Sequence, residues 1–85
     1  MDERFIIIGR SSCPFCVMAE DLLQASKKEL IFLDYLKTPS ILEEYKSFHD
    51  HHTVPIILSN NLVTGFVKKI GGYSDLLEYI QCQKT

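Results

Sequence analysis

The 85-residue sequence is poor in the residues that break or dissolve structure, with only four glycines and three prolines. Apolar residues make up 46% of it and charged residues 24%, the balance of a folded chain and not of a disordered one. It lacks any run of Lys or Arg, and its net charge is −2. That argues against nucleic acid and acidic membranes as main partners, because both are held through clustered positive charge. It also lacks a long hydrophobic run. The longest, Phe5–Gly9 and Val54–Leu58, are strand-sized, far short of the roughly 20 residues of a membrane-spanning helix. The first residues, Met1-Asp2-Glu3-Arg4, are mixed in charge, and the apolar stretch after them is too brief for a secretory signal. A cytoplasmic, reducing location is the expectation, and residues 1–85 are expected to form a single domain.

Cysteine is scarce too. Three residues, Cys13, Cys16 and Cys82, are an odd number and cannot form a complete disulfide framework. Cys13 and Cys16 form a Cys-x-x-Cys pair, which in a reducing compartment points to redox chemistry or a metal. A four-ligand zinc site needs two more ligands, and the candidates are Cys82 and His49, His51 and His52. A proline between the cysteines, where a strand passes into a helix, is unlike a zinc knuckle, so no metal is expected. The three histidines are read as a solvated loop. Cys82 is read as a small apolar residue buried on the last helix, with a regulatory or dimer-forming thiol as the alternative.

Strand and helix patterns alternate along the chain. Arg4–Gly9 is a continuous apolar run, as in a buried strand. Pro14 suits the first turn of a helix, and apolar residues at helical spacing (Met18, Leu22, Ala25) extend it to about Lys27. Leu30–Leu36 reads as a second strand. A second helix runs from Thr38-Pro39-Ser40 to about Phe48, with Ser40 and Glu43 spaced as a capping box. Thr53–Leu58 reads as a third strand, Ser59-Asn60-Asn61 as a turn, and Leu62–Ile70 as a fourth strand with a bulge or bend at Gly65. After Gly71-Gly72, Ser74 or Asp75 caps a last helix carrying Leu76, Leu77 and Ile80. The order β-α-β-α-β-β-α predicts an α/β fold of thioredoxin-like type. Its sheet is mixed and four-stranded, flanked by three helices, with the first two strands parallel and the last two antiparallel.

This map locates the chemistry. Cys13 falls at the start of the first helix, where free N–H groups and the helix dipole favour a thiolate. Arg10, three residues upstream, adds positive charge. Since the thiolate is the attacking species in disulfide exchange, Cys13 is the candidate nucleophile. Cys16 lies one turn on, on the same face, and is the candidate resolving thiol, more buried and less acidic. Thr53-Val54-Pro55 puts a proline at a strand start, where a cis Val54–Pro55 bond would free the Val54 backbone to pair with an extended peptide. Gly71-Gly72-Tyr73-Ser74-Asp75 lets a ligand approach a helix N-terminus suited to a carboxylate, with the Asp75 side chain suited to an ammonium group.

Taken together, Cys13-Pro14-Phe15-Cys16, Thr53-Val54-Pro55 and Gly71-Gly72-Tyr73-Ser74-Asp75 resemble the active-site, cis-proline and glutathione-binding motifs of dithiol glutaredoxins, in the same order, over residues 5 to 80. The resemblance implies a glutathione-disulfide oxidoreductase. Cys13 would take the glutathionyl group, and Cys16 would resolve protein disulfides. The Val54 backbone would pair with the cysteinyl part of glutathione in a groove shaped by Thr53 and Pro55. Ser74 and Asp75 would hold the γ-glutamyl end, beside Gly72. Arg10 stands where the family often has Lys. Phe15 replaces the common Tyr but keeps the ring that flanks the groove, and Tyr73 occupies a variable position. The stretch from Ser59 to Ile70 is longer than the usual hairpin. His52 stands where a basic residue is common.

The implied co-substrate is glutathione, acting as reductant. The implied partners are disulfide-containing or glutathionylated proteins, ribonucleotide reductase among the candidates, acted on by a monomer. Two other functions fit parts of the pattern: a glutaredoxin that bridges an iron–sulfur cluster, against which Pro14 argues, and a glutaredoxin-like protein reduced by thioredoxin reductase, against which Arg10 and the Gly71–Asp75 turn argue.

Overall fold

A computed structural model describes residues 2–83, with side chains to residue 82. The chain runs β1 (Glu3–Gly9), α1 (Pro14–Ala25), β2 (Glu29–Asp34), α2 (Pro39–Phe48), β3 (Ile56–Asn61), β4 (Val67–Gly71) and α3 (Tyr73–Gln83). The strands form one sheet in the order β2-β1-β3-β4. β1 and β2 are parallel, as a helical crossover requires, and β3 is antiparallel to both β1 and β4. This is the expected thioredoxin-like α/β architecture.

β1 is apolar without alternation because both faces of the sheet are covered. Phe5 and Ile7 point to one side, where with Ile57 they pack against Ala19 and Leu23 of α1 and Leu76 and Ile80 of α3. Ile8 points to the other, where Ile56, Leu58 and Leu42 of α2 form a second cluster, with Ile6 packed against it. Each such side chain, fully buried, contributes about 1.5–3 kcal/mol.

The element ends depart from the sequence expectations for local physical reasons. α1 stops at Ala25, short of Lys27, because Lys27 takes a left-handed conformation with φ 56°. β2 stops at Asp34, short of Leu36. The Asp34 carboxylate accepts hydrogen bonds from the Ser11 and Leu36 N–H groups at 3.0 Å each, which turns the chain. The Ser40–Glu43 capping box does not form. Thr38 is the N-cap, Pro39 takes the first helical position, and Glu43 pairs with Lys46 at 2.9 Å.

The largest shift is in the hairpin. Thr53-Val54-Pro55 precedes β3 and lies outside it. Ser59-Asn60-Asn61 is strand, not turn, and pairs with Phe5, Arg4 and Glu3 of β1. The turn falls after it, where the Asn61 side-chain oxygen accepts from the N–H of Val63 at 2.9 Å and of Thr64 at 3.1 Å. Gly65 completes that turn with φ 78° and makes no bulge. The bulge lies instead at Ile70, where Ile57 pairs with Gly71 but Leu58 pairs with Lys69.

Candidate active site

Three chain segments converge at the C-terminal end of β1. Cys13 is the N-cap of α1 and Pro14 follows at N1. The approach is held by the Cys13 N–H, which donates to the Arg10 carbonyl at 3.1 Å, and by the Asp34 grip on Ser11. The Cys13 sulfur lies 3.9 Å from the Val54 carbonyl oxygen, and the Val54–Pro55 peptide bond is cis. The third segment is the Gly71–Asp75 turn into α3, where the Asp75 carboxylate accepts the Gly72 N–H at 2.9 Å. Asp75 thus closes the first turn of α3 from its third position, the carboxylate half of a capping box.

The two thiols differ in character. Burial of Cys13 opposes its ionisation, but the backbone N–H groups of Cys16 and Phe15, the Cys16 thiol and the Arg10 charge outweigh it. Its pKa is held below the ordinary 9.0. In Cys16 burial dominates, the neighbouring Cys13 adds to it, and the pKa is pushed up to about 12. Cys16 has no solvent exposure, whereas 8% of Cys13 is exposed. One sulfur is therefore the more acidic and the more accessible, and the other is kept as a thiol behind it, the division of labour that nucleophile and resolving thiol require.

Beside Cys13 runs a groove of about 430 Å³. Thr53, Val54 and Pro55 form one wall, and Gly72, Ser74 and Asp75 the other. The rings of Phe15 and Tyr73 stand 6.1 Å apart across its mouth. Arg10 is exposed and outside this lining, and its side chain acts on the Cys13 sulfur through its charge. A larger cavity, about 590 Å³, lies away from the cysteines and is lined in part by Glu3, Lys27, Lys68 and Tyr79.

The chain matches the glutaredoxin family model over residues 5–63, more than half its length. It belongs to the glutaredoxin family. Its fold is similar to that of reduced Escherichia coli glutaredoxin, with a TM-score of 0.68 and 26% identity over 92% of this chain and 93% of that one. The dithiolic glutaredoxin of Trypanosoma brucei brucei gives a TM-score of 0.67 and 29% identity, over 94% of this chain and 78% of that one. Glutaredoxin 1 of Francisella tularensis shares the fold at 22% identity and a TM-score of 0.61, over 93% of each chain. No curated protein sequence matches. Membership makes the chain a thiol–disulfide oxidoreductase of thioredoxin-like fold. The family match ends before Gly71.

Three residues of this region were not legible as functional. Gly9 and Asp34 bear on the geometry around the cysteines yet read in sequence as a strand end and a strand interior. The third is His51. The expectation of a solvated histidine loop fails for two of the three residues. His49 and His51 are half-buried and His52 alone is exposed. The His49 ring stacks on Tyr45, 6.2 Å away, and its pKa is lowered by burial and by the charges of Lys69 and His51. His51 lines the groove. Cys82 also departs from expectation, because it is exposed on α3 instead of buried. Among the described side chains of that helix, only Leu76 and Ile80 are buried.

Proposed function

We propose that the chain reduces glutathione mixed disulfides and protein disulfides with glutathione as the reductant. The observation that carries this reading is a lowered-pKa Cys13 at a helix N-terminus beside a groove whose two walls, Val54-Pro55 and Gly72–Asp75, are backbone-rich and end in a carboxylate. An extended tripeptide with a central cysteine fits such a groove. The Val54 backbone pairs with its cysteinyl residue. Asp75 and Ser74 receive the γ-glutamyl end beside Gly72, and Arg10 attracts the glycyl carboxylate.

The Cys13 thiolate attacks the glutathione sulfur of a mixed disulfide. A Cys13–glutathione disulfide forms, and the target leaves as its own thiolate. A second glutathione, as thiolate, then attacks the glutathione sulfur on Cys13, forming glutathione disulfide and restoring the Cys13 thiolate. With a protein disulfide, Cys13 attacks one sulfur, and Cys16, losing its proton as it reacts, displaces the reduced target to leave a Cys13–Cys16 disulfide. Two glutathione molecules reduce that disulfide in turn. Disulfide-containing and glutathionylated proteins are the partners in this scheme, with ribonucleotide reductase one candidate. The working form is a monomer in the reducing cytoplasm.

The test is glutathione-coupled turnover of a small mixed disulfide, with glutathione reductase and NADPH, in the wild type, Cys13→Ser and Cys16→Ser. The expected result is loss of activity in Cys13→Ser and retention in Cys16→Ser. A wild type without turnover overturns the reading.

A further inference from the structure

His51 lies in the loop between α2 and the cis-proline segment, flanked by exposed Asp50 and His52. Its Nε2 is buried and has no hydrogen-bond partner. Among the described residues only one other side-chain nitrogen or oxygen, Asn60 Oδ1, shares that condition. A buried polar atom left unpaired costs about 1–3 kcal/mol, so its retention calls for a reason. The surroundings supply one. The point where a Cβ on Gly72 would stand is 3.9 Å from His51 Nε2, 3.9 Å from the Pro55 carbonyl oxygen and 4.0 Å from Asp75 Oδ2. Three polar atoms ring one bare backbone position at the start of α3. Two are acceptors that suit an ammonium group. The third is a ring nitrogen that, carrying its proton, suits a carboxylate. An α-amino acid carries both charges on one carbon.

We propose that His51 is a specificity-determining residue of the groove: its Nε2–H binds the α-carboxylate of the γ-glutamyl residue of glutathione while Asp75 takes the ammonium group. This rests on the glutathione reading above and deepens it. The ring reaches the ligand by turning about its own side-chain bonds, exchanging an unpaired nitrogen for a charge-assisted hydrogen bond. Neither the cysteinyl nor the glycyl part of the ligand meets His51, so its effect is confined to ligands that carry the γ-glutamyl group.

The experiment is an NMR titration of the reduced full chain with S-methylglutathione and with S-methylcysteinylglycine, which lacks the γ-glutamyl group, for the wild type, His51→Leu and His51→Gln. In His51→Leu, S-methylglutathione binding falls about tenfold and S-methylcysteinylglycine binding is unchanged. His51→Gln, whose amide N–H reaches the same carboxylate, recovers most of the loss. In the wild type the ring-nitrogen resonance of His51 shifts with S-methylglutathione and stays in place with the dipeptide. Undiminished S-methylglutathione binding in His51→Leu, equal losses for both ligands, or no recovery in His51→Gln overturns the assignment and leaves the glutathione reading intact. A wild type that does not bind S-methylglutathione overturns that reading, and the assignment with it.

Discussion

Gly9, the last residue of β1, backs directly onto Cys16: a Cβ built on Gly9 would overlap the Cys16 sulfur and come within 3.8 Å of the Pro55 Cα. The sheet, the resolving thiol and the cis-proline segment therefore meet at a position where only a glycine leaves room. Gly9→Ala pushes Cys16 away from β1 and costs about 1–3 kcal/mol, the range for inserting a methyl group into a filled core. For a chain of this size each 1 kcal/mol lowers Tm by roughly 4–8 °C. Reduction of protein disulfides, which needs Cys16, falls more than deglutathionylation, which needs Cys13 alone. An unchanged Tm with an unchanged ratio of the two rates would show that the site absorbs the methyl group.

The two thiols separate by pH. Cys13 ionises below the ordinary 9.0 and Cys16 near 12, so iodoacetamide modifies Cys13 in preference to Cys16 in the reduced protein, with the exposed Cys82 counted separately by its own peptide. Alkylation and turnover both fall as pH drops through the Cys13 pKa. The same shifts set stability. Cys13, with a depressed pKa, contributes stability above 9.0 that is lost as pH falls through its folded value. Cys16, with a raised pKa, contributes stability below 9.0 that is lost as pH rises from 9.0 to about 12. Arg10→Leu removes one source of the Cys13 depression, moves the alkylation midpoint upward and leaves Cys16 unreactive. The check is the alkylation rate against pH, read by mass spectrometry, and a Cys13 midpoint at or above 9.0 contradicts the account.

Asp75 has two roles that two substitutions divide. Its carboxylate caps the Gly72 N–H and, in the function proposed, balances a ligand's ammonium group. Asp75→Asn keeps an acceptor for the N–H but loses the charge. Stability then changes little, and KM for glutathione rises about tenfold, in line with about 1.5 kcal/mol for a hydrogen bond to a charged group. Asp75→Ala loses both, with a similar rise in KM and a further stability loss of about 0.5–1.5 kcal/mol. Thermal melts and glutathione-dependent kinetics on the two variants are the measurement. Equal KM values for Asp75→Asn and the wild type would remove the ammonium role.

The architecture was legible in the sequence because its signals are local. The unbroken apolar β1, the proline after Cys13 and the helical spacing in α1 each specify one element, and crossover rules assemble them. The candidate site was legible where motif and backbone coincide, at Cys13, Cys16, Val54-Pro55 and Gly72–Asp75. What was not legible depends on contacts distant in sequence. Gly9 meets Cys16 only once the crossover is made. His51 meets Gly72 only once β3 and α3 have formed. Nothing in the run His49-Asp50-His51-His52 distinguishes a residue that faces a groove from one that faces water. Cys82 stands six residues after Leu76 and two after Ile80, off the face of α3 that those two bury, and it is exposed.

The misread hairpin has the same origin. Ser59-Asn60-Asn61 is composed like a turn, yet β3 runs through it because Ser59, 3% exposed, is satisfied from afar. The Ser59 hydroxyl and the Tyr79 hydroxyl both donate to the Glu3 carboxylate, which ties the first residue of β1 to β3 and α3. Glu3→Ala leaves the buried Ser59 hydroxyl without this acceptor and costs about 1–3 kcal/mol. Ser59→Ala in the Glu3→Ala background costs little more, since the hydroxyl it removes has already lost its partner. The interaction energy from the double-mutant cycle is accordingly large. Glutathione-coupled turnover stays at the wild-type level in all three variants at temperatures where they remain folded, because this network lies along the other cavity and apart from Cys13. Additive stability losses would show that Glu3 and Ser59 act independently and that the extension of β3 has another cause.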